Sequence, residues 1–149
     1  MRKFLSILLV LVVLVIGAIP IIGLLSSEPP IPTITVGDKE VTTVQGSYCW
    51  SGLLKAKCVD MISPPEIIKH AGLRPVVVSP EAQLTIEFKN EPKKNTLGAN
   101  RWINNEETEV VQLNDNVLTV PKENGVYVYN IFASWEKGNS SYVFVIEVR

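Results

Sequence analysis

The sequence predicts a mainly β protein: a β-sandwich of about seven or eight short strands with one short helix, placed behind a single N-terminal transmembrane helix. Three observations carry this. Residues 4–25 form an uncharged apolar run of 22 residues, with Arg2 and Lys3 immediately before it. From Thr33 onward, short apolar–polar alternations are separated by turn residues, the pattern of an all-β domain. In that part only one stretch, residues 65–71, carries the start and stop signals of a helix.

The N-terminal run comes first. At about 1.5 Å per residue, 22 helical residues span ~33 Å, close to one hydrocarbon core. A cleaved signal peptide has a shorter apolar region and a small-residue cleavage site. Here Leu24 and Leu25 occupy the positions where small residues are wanted. No cysteine stands near the end of the run to accept a lipid. An uncleaved signal anchor over 4–25 is therefore expected, with a cleaved signal as the alternative. Arg2 and Lys3 stay on the cytoplasmic side, which puts the C-terminal domain outside the cytoplasm at the cell membrane. Residues 26–32, Ser-Ser-Glu-Pro-Pro-Ile-Pro, read as a stiff tether of ~20 Å. The domain proper is expected over 33–149.

Composition removes several classes of function. The 149 residues hold 14 Lys and Arg, 15 Asp and Glu, one His and two Cys. Beyond Ser26 the balance is 12 basic against 15 acidic, which gives no electrostatic footprint for nucleic acid. One His and two Cys cannot complete a four-cysteine or two-cysteine, two-histidine zinc site.

Along the domain, Thr33–Val36 and Lys39–Gln45 flank Gly37-Asp38, a hairpin signal. Leu84, Ile86 and Phe88 alternate with Thr85, Glu87 and Lys89, as in a half-buried strand. Asn90–Asn95 is a loop and Arg101–Ile103 a short strand. Glu109–Leu113 and Val117–Val120 flank Asn114-Asp115-Asn116, a second hairpin candidate. Val126–Trp135 is the longest strand, with Tyr127, Tyr129, Ile131, Ala133 and Trp135 on its inward face. In the closing strand, Ser141–Val148, the inward set is Tyr142, Phe144, Ile146 and Val148. The helix over 65–71 has Ser63 to cap it, a proline in its first turn, Glu66 at its positive end and Gly72 to stop it.

The run Glu123-Asn124-Gly125-Val126-Tyr127-Val128-Tyr129 resembles the acid-x-Gly-x-Tyr-x-Cys stretch of immunoglobulin-like domains. The resemblance implies an immunoglobulin-like sandwich with Tyr127 as its corner tyrosine, whose hydroxyl bonds back to the chain. Tyr129 stands where that family often has its second sheet-bridging cysteine, so that bridge is absent. Gly46-Ser47-Tyr48-Cys49-Trp50, Cys58-Val59-Asp60 and the closing Gly125…Tyr129…Trp135…Tyr142-Val143-Phe144 pattern also make the chain similar to membrane-anchored or lipoprotein-type extracytoplasmic proteins of Gram-positive bacteria. That resemblance implies place and fold, and brings no activity with it.

Few residues are candidates for chemistry. Cys49 and Cys58, nine positions apart in an exported domain, are expected to form a disulfide. A redox-active dithiol prefers the closer C-x-x-C spacing. A soft-metal site for copper or zinc would join Cys49, Cys58 and His70, with Asp60 as a fourth ligand. Otherwise His70 is a solvent-facing residue near a helix C-terminus. Ser47, Ser51 and Ser79 lie in no G-x-S-x-G, and the pairing of Glu106, Glu107 and Glu109 is that of a solvated turn. Lys89, Lys93 and Lys94 make a basic spot, either a solvated tip or a contact for anionic lipid or wall polymer. Trp50, Arg101 and Trp102 are the binding candidates, because exposed aromatic and Arg side chains suit recognition; the competing role for both tryptophans is core packing.

These readings add up to an expected membrane-tethered, non-catalytic binding module that meets an envelope protein or polymer and needs no cofactor. The alternative is an extracytoplasmic thiol-redox or soft-metal protein built on Cys49, Cys58 and His70. A third, an inhibitor-like sandwich, would project the loop 92–102 as a peptide-like surface.

Overall fold

Alternating apolar residues assemble into two sheets in a computed structural model, which describes Ile7, residues 28–52 and residues 55–149. The expected span over 4–25, Ile7 apart, lies outside the described residues, as do Ser26, Ser27, Leu53 and Leu54. Among the described residues no helix is long and apolar enough to cross a membrane.

The strands are β1 (Pro32–Val36), β2 (Lys39–Val41), β3 (Val44–Ser51), β4 (Ala56–Val59), β5 (Val76–Val78), β6 (Gln83–Phe88), β7 (Gly98–Trp102), β8 (Thr108–Val111), β9 (Val117–Thr119), β10 (Gly125–Trp135) and β11 (Gly138–Val148). The helix α1 (Pro64–Ala71) follows β4. The smaller sheet has the order β2-β1-β6-β9; the larger runs β4-β3-β11-β10-β7-β8, with β5 also paired to β11. Pairing is antiparallel throughout except between β5 and β11. One apolar cluster lies between the sheets, so the architecture is the expected β-sandwich. Ile34, Leu84, Ile86 and Leu118 enter it from the smaller sheet. Tyr129, Ile131, Tyr142, Phe144 and Ile146 meet them from the larger one.

The strands outnumber the seven or eight expected because Lys39–Gln45 divides into β2 and β3, and because β4 and β5 form in stretches not read as strands; two connections also change sheets. Lys39–Gln45 breaks at Thr42-Thr43: β2 pairs with β1 in the smaller sheet, and β3 pairs with β11 in the larger. The turn at Asn114-Asp115-Asn116 does form, closed by Asn114–Val117 hydrogen bonds of 3.0 and 2.9 Å. It joins no hairpin, because β8 belongs to the larger sheet and β9 to the smaller. Asn116 causes the crossing: its side-chain Nδ2 donates to Ile86 O at 3.0 Å, and its own carbonyl accepts from Ile86 N at 2.9 Å. Both bonds draw the chain onto β6.

β10 and β11 pair along their whole length, from Gly125↔Val148 to Trp135↔Gly138. Gly138 has φ +150, and a Cβ there would lie 2.0 Å from the carbonyl oxygen of Cys49, so the close approach of β3 demands glycine. The inward alternation of β10 is as expected. β11 differs, because Val143 and Val145 are buried as well as Tyr142, Phe144 and Ile146. α1 packs against the outer face of the larger sheet, over β3, β10 and β11, so β11 is covered on both faces.

Ser63 precedes α1 but its side chain makes no cap bond; its hydroxyl donates instead to Asn105 Oδ1 at 3.4 Å. The stop is as read. Gly72 adopts the left-handed conformation, and Gly72 N and Leu73 N donate to Lys69 O and Ile68 O. The last part of the segment read as a tether packs on the domain. Pro29 and Pro32 are buried, Pro32 opens β1 opposite Phe88, and Tyr142 Oη donates to Pro30 O at 2.5 Å.

Candidate functional site

β3 and β4 place Cys49 and Cys58 directly opposite each other, and the two form a disulfide. The bridge lies at the edge of the larger sheet, with Cys58 exposed. Cross-strand neighbours on one face stand close enough for this bond without displacing either strand. His70 sits elsewhere, 72 % exposed on α1, with Glu66 Oε2 at 3.9 Å. Among the described residues no three His, Cys, Asp or Glu side chains gather closely enough to hold a metal, so His70 does not join the cysteines.

The three binding candidates separate. Trp50 points between the sheets and is 5 % exposed. Its ring meets Trp135 edge-on at 5.7 Å, and Trp135 meets Phe88 at 5.1 Å, so Trp50 belongs to the core rather than to a recognition surface. Trp50 follows Cys49 on a strand, and period-2 alternation turns it inward where the cysteine faces out.

Arg101 and Trp102 are adjacent on β7 and therefore serve opposite faces. Arg101 is engaged within the fold. Its Nη2 lies 2.6 Å from Glu109 Oε1 across the β7–β8 ladder, and its guanidinium stacks over the Tyr127 ring at 5.3 Å. Tyr129, opposite Arg101 in the β10–β7 register, is buried; that burial pushes its phenol up to about 12, against the lowering influence of the nearby guanidinium.

Trp102 is the candidate that reaches a cleft. Between α1 and the outer face of the larger sheet lies an open hollow of about 390 Å³. Trp102, Val143 and Asn130 line it from the sheet, and Met61, Ile62 and Ile67 from α1 and the segment before it. Ile67 is buried, whereas Met61 is 43 % and Ile62 52 % exposed. Ser47 fixes the near rim: its hydroxyl accepts from Met61 N at 2.9 Å, and its carbonyl accepts from Ser141 Oγ at 3.1 Å. The indole Nε1 of Trp102 is sheltered from solvent and has no acceptor among the described residues, as is true of Trp50 Nε1 and Arg101 Nε. The hollow offers apolar contact from Trp102, Val143, Met61 and Ile62 beside the polar Asn130 and Ser47, the ingredients of a small recognition pocket.

Met61 and Ile62 carried no weight in the sequence reading. They lie outside any strand or helix pattern, and only the packing of α1 brings them over Trp102. The loop 92–102 does not project as an inhibitor-like surface. Thr96 Oγ1 donates to Lys93 O at 2.7 Å and accepts from Ser134 N at 3.2 Å, and residues from Gly98 are already strand β7.

Comparison with protein-family models, with curated proteins and with solved structures finds no match to this chain.

Proposed function

We propose that this chain is a membrane-tethered, extracytoplasmic binding module of the cell envelope, non-catalytic, whose recognition face is the cleft between α1 and the larger sheet. The observation that carries the reading is the hollow itself, where Trp102 and Val143 of the sheet face the exposed Met61 and Ile62. Such a cleft suits a protein partner that inserts an apolar side chain. The disulfide supports an oxidising, extracytoplasmic location. The charge order of the first 25 residues supports the anchor and its orientation.

The immunoglobulin-like relationship belongs to the same proposal. In that fold the first, second and fifth strands share one sheet, and the third, sixth and seventh share the other. β1, β6 and β9 fit the first set, and β7, β10 and β11 the second. Tyr127 Oη donates to Glu123 O at 2.9 Å, the bond of a corner tyrosine near the start of the sixth strand. On this reading residues 39–78 are an insertion between the first two strands, and the insertion builds one wall of the cleft.

Two experiments test the proposal. Labelling intact cells with a membrane-impermeant maleimide is expected to mark Cys49 and Cys58 only after reduction; labelling without reductant would favour the thiol or metal alternative. A photo-crosslinking residue at Met61 is expected to capture an envelope partner that one at Glu40 does not. Trp102→Phe leaves a smaller aromatic ring in the wall of the hollow, and is expected to weaken that capture about five- to tenfold. Equal capture at both positions, or capture indifferent to Trp102→Phe, would refute the cleft.

A further inference from the structure

We infer that the end of the sandwich at which the chain enters is a lysine platform that seats the domain on the anionic lipid headgroups of its own membrane. The inference rests on the tethered reading above and names the surface that the tethered domain meets first.

The strands run so that one pole gathers four segments. These are the entry at 28–32, the facing ends of β3 and β4 at Gly52 and Lys55, the loop after β6 and the β10–β11 turn. Local bonds hold them together. Tyr142 Oη bonds Pro30 O, and Trp135 Nε1 donates to Asn90 O at 2.8 Å. Lys93 N donates to Ser134 O at 2.8 Å, and Ser51 N to Lys137 O at 2.7 Å. The pole carries Lys55, Lys57, Lys89, Lys93, Lys94 and Lys137. Its acidic residues are Glu28, Glu87, Glu91 and Glu136, so its net charge is +2. The other described residues carry six basic and eleven acidic side chains, a net −5. The described domain is thus polarised, with its positive pole where the chain enters at 28–32.

Distance makes this polarity act. Pro29 is already buried against the domain, so only Ser26, Ser27 and Glu28 separate it from the expected end of the span at Leu25. Three extended residues reach at most about 10 Å. That upper limit is about one Debye length, ~8 Å at physiological ionic strength, so the tether holds the pole within the zone where headgroup charge acts and lets its lysines approach closer. Lys55, Lys89 and Lys94 are exposed and have no carboxylate within ion-pair distance among the described residues. Their ammonium groups are free to meet phosphate. Seating the positive pole turns the acidic remainder away from the bilayer and fixes the domain's tilt.

The test reconstitutes the full chain in lipid nanodiscs, either zwitterionic or partly anionic, with a fluorescent donor at Asn95→Cys and acceptors on the headgroups. Energy transfer is expected to rise severalfold from zwitterionic to anionic discs. The rise is expected to vanish in high salt and in the variant Lys55→Gln, Lys89→Gln, Lys94→Gln, whose substitutions are exposed and leave the core intact. Equal transfer in both lipids, from a chain that stays with the discs through a high-salt wash, overturns the platform and leaves the anchor standing. A chain that associates only with anionic discs and is released by salt overturns the anchor and supports the platform. A chain that associates with neither overturns both. Tighter binding to a soluble polyanion than to anionic discs would reassign the pole to an envelope polymer and overturn the lipid assignment.

Discussion

Inside the sandwich, inward side chains of two sheets meet in one apolar cluster; over the outer face of the larger sheet, a covalent bridge and a two-turn helix do the holding. The interior needs no special device, because Ile34, Leu84, Leu118, Tyr142 and Phe144 are each fully buried and each burial contributes ~1.5–3 kcal/mol. Residues 39–78 bury less. Ile67 is the deeply buried aliphatic residue of α1, β4 is almost wholly exposed, and Cys49–Cys58 ties β4 to β3. The difference teaches where each job sits. The interior sets the shape, and the outer layer, with exposed Met61 and Ile62, leaves surface available for a partner.

The comparison is most severely tested from the interior. Phe144→Ala removes a ring stacked on Tyr129 at 5.3 Å and is expected to cost about 3–5 kcal/mol. Chemical denaturation of the full chain in detergent should show it as a loss of the whole cooperative transition. The outer layer should behave otherwise. Cys49→Ser with Cys58→Ser is expected to cost roughly 2.5–3 kcal/mol. Limited proteolysis should then cut near Lys55 and Lys57 while the interior persists; simultaneous loss of all structure would show that the two regions are one cooperative unit.

Alkali separates the regions as well. Tyr129 is held up at about 12 by burial, against an ordinary value of 10, so between these values the unfolded chain loses a proton that the folded chain keeps. Stability conferred by the neutral phenol is full below pH 10 and falls as pH rises toward 12, at roughly 1.4 kcal/mol per pH unit from this group. Burial raises Tyr142 in the same direction. Denaturation midpoints measured from pH 9 to 12 should fall, and Tyr129→Phe should flatten the curve. The smallest effect belongs to the corner: Tyr127→Phe removes the bond to Glu123 O and is expected to cost about 1 kcal/mol by the same measurement.

Much of this was legible in the chain itself. Period-2 alternation placed Tyr129, Ile131, Ala133 and Trp135 inward, Gly72 marked the helix end, and the two cysteines, nine positions apart, were expected to form the bridge they make. Each depends on neighbours in sequence or on compartment, which a one-dimensional reading captures. The site was less legible. Trp102 could be named, but Trp50 stood beside it as an equal candidate, and only inter-sheet packing assigned one to the cleft and the other to the core. Met61 and Ile62 gained meaning only when α1 was folded over β10 and β11.

The sequence by itself determined the longer strands β6, β10 and β11, the helix stop, the disulfide partners and the apolar N-terminal run, because alternation, capping and charge order are local. The tertiary structure decided which sheet each strand joins. The switches at Thr42-Thr43 and at Asn114–Asn116 turn on bonds such as Asn116 to Ile86, made across 30 positions. It also decided that Val143 and Val145 are buried from the outside, and that six lysines scattered between positions 55 and 137 share one pole. Long-range pairing brings such residues together, and no local pattern records it.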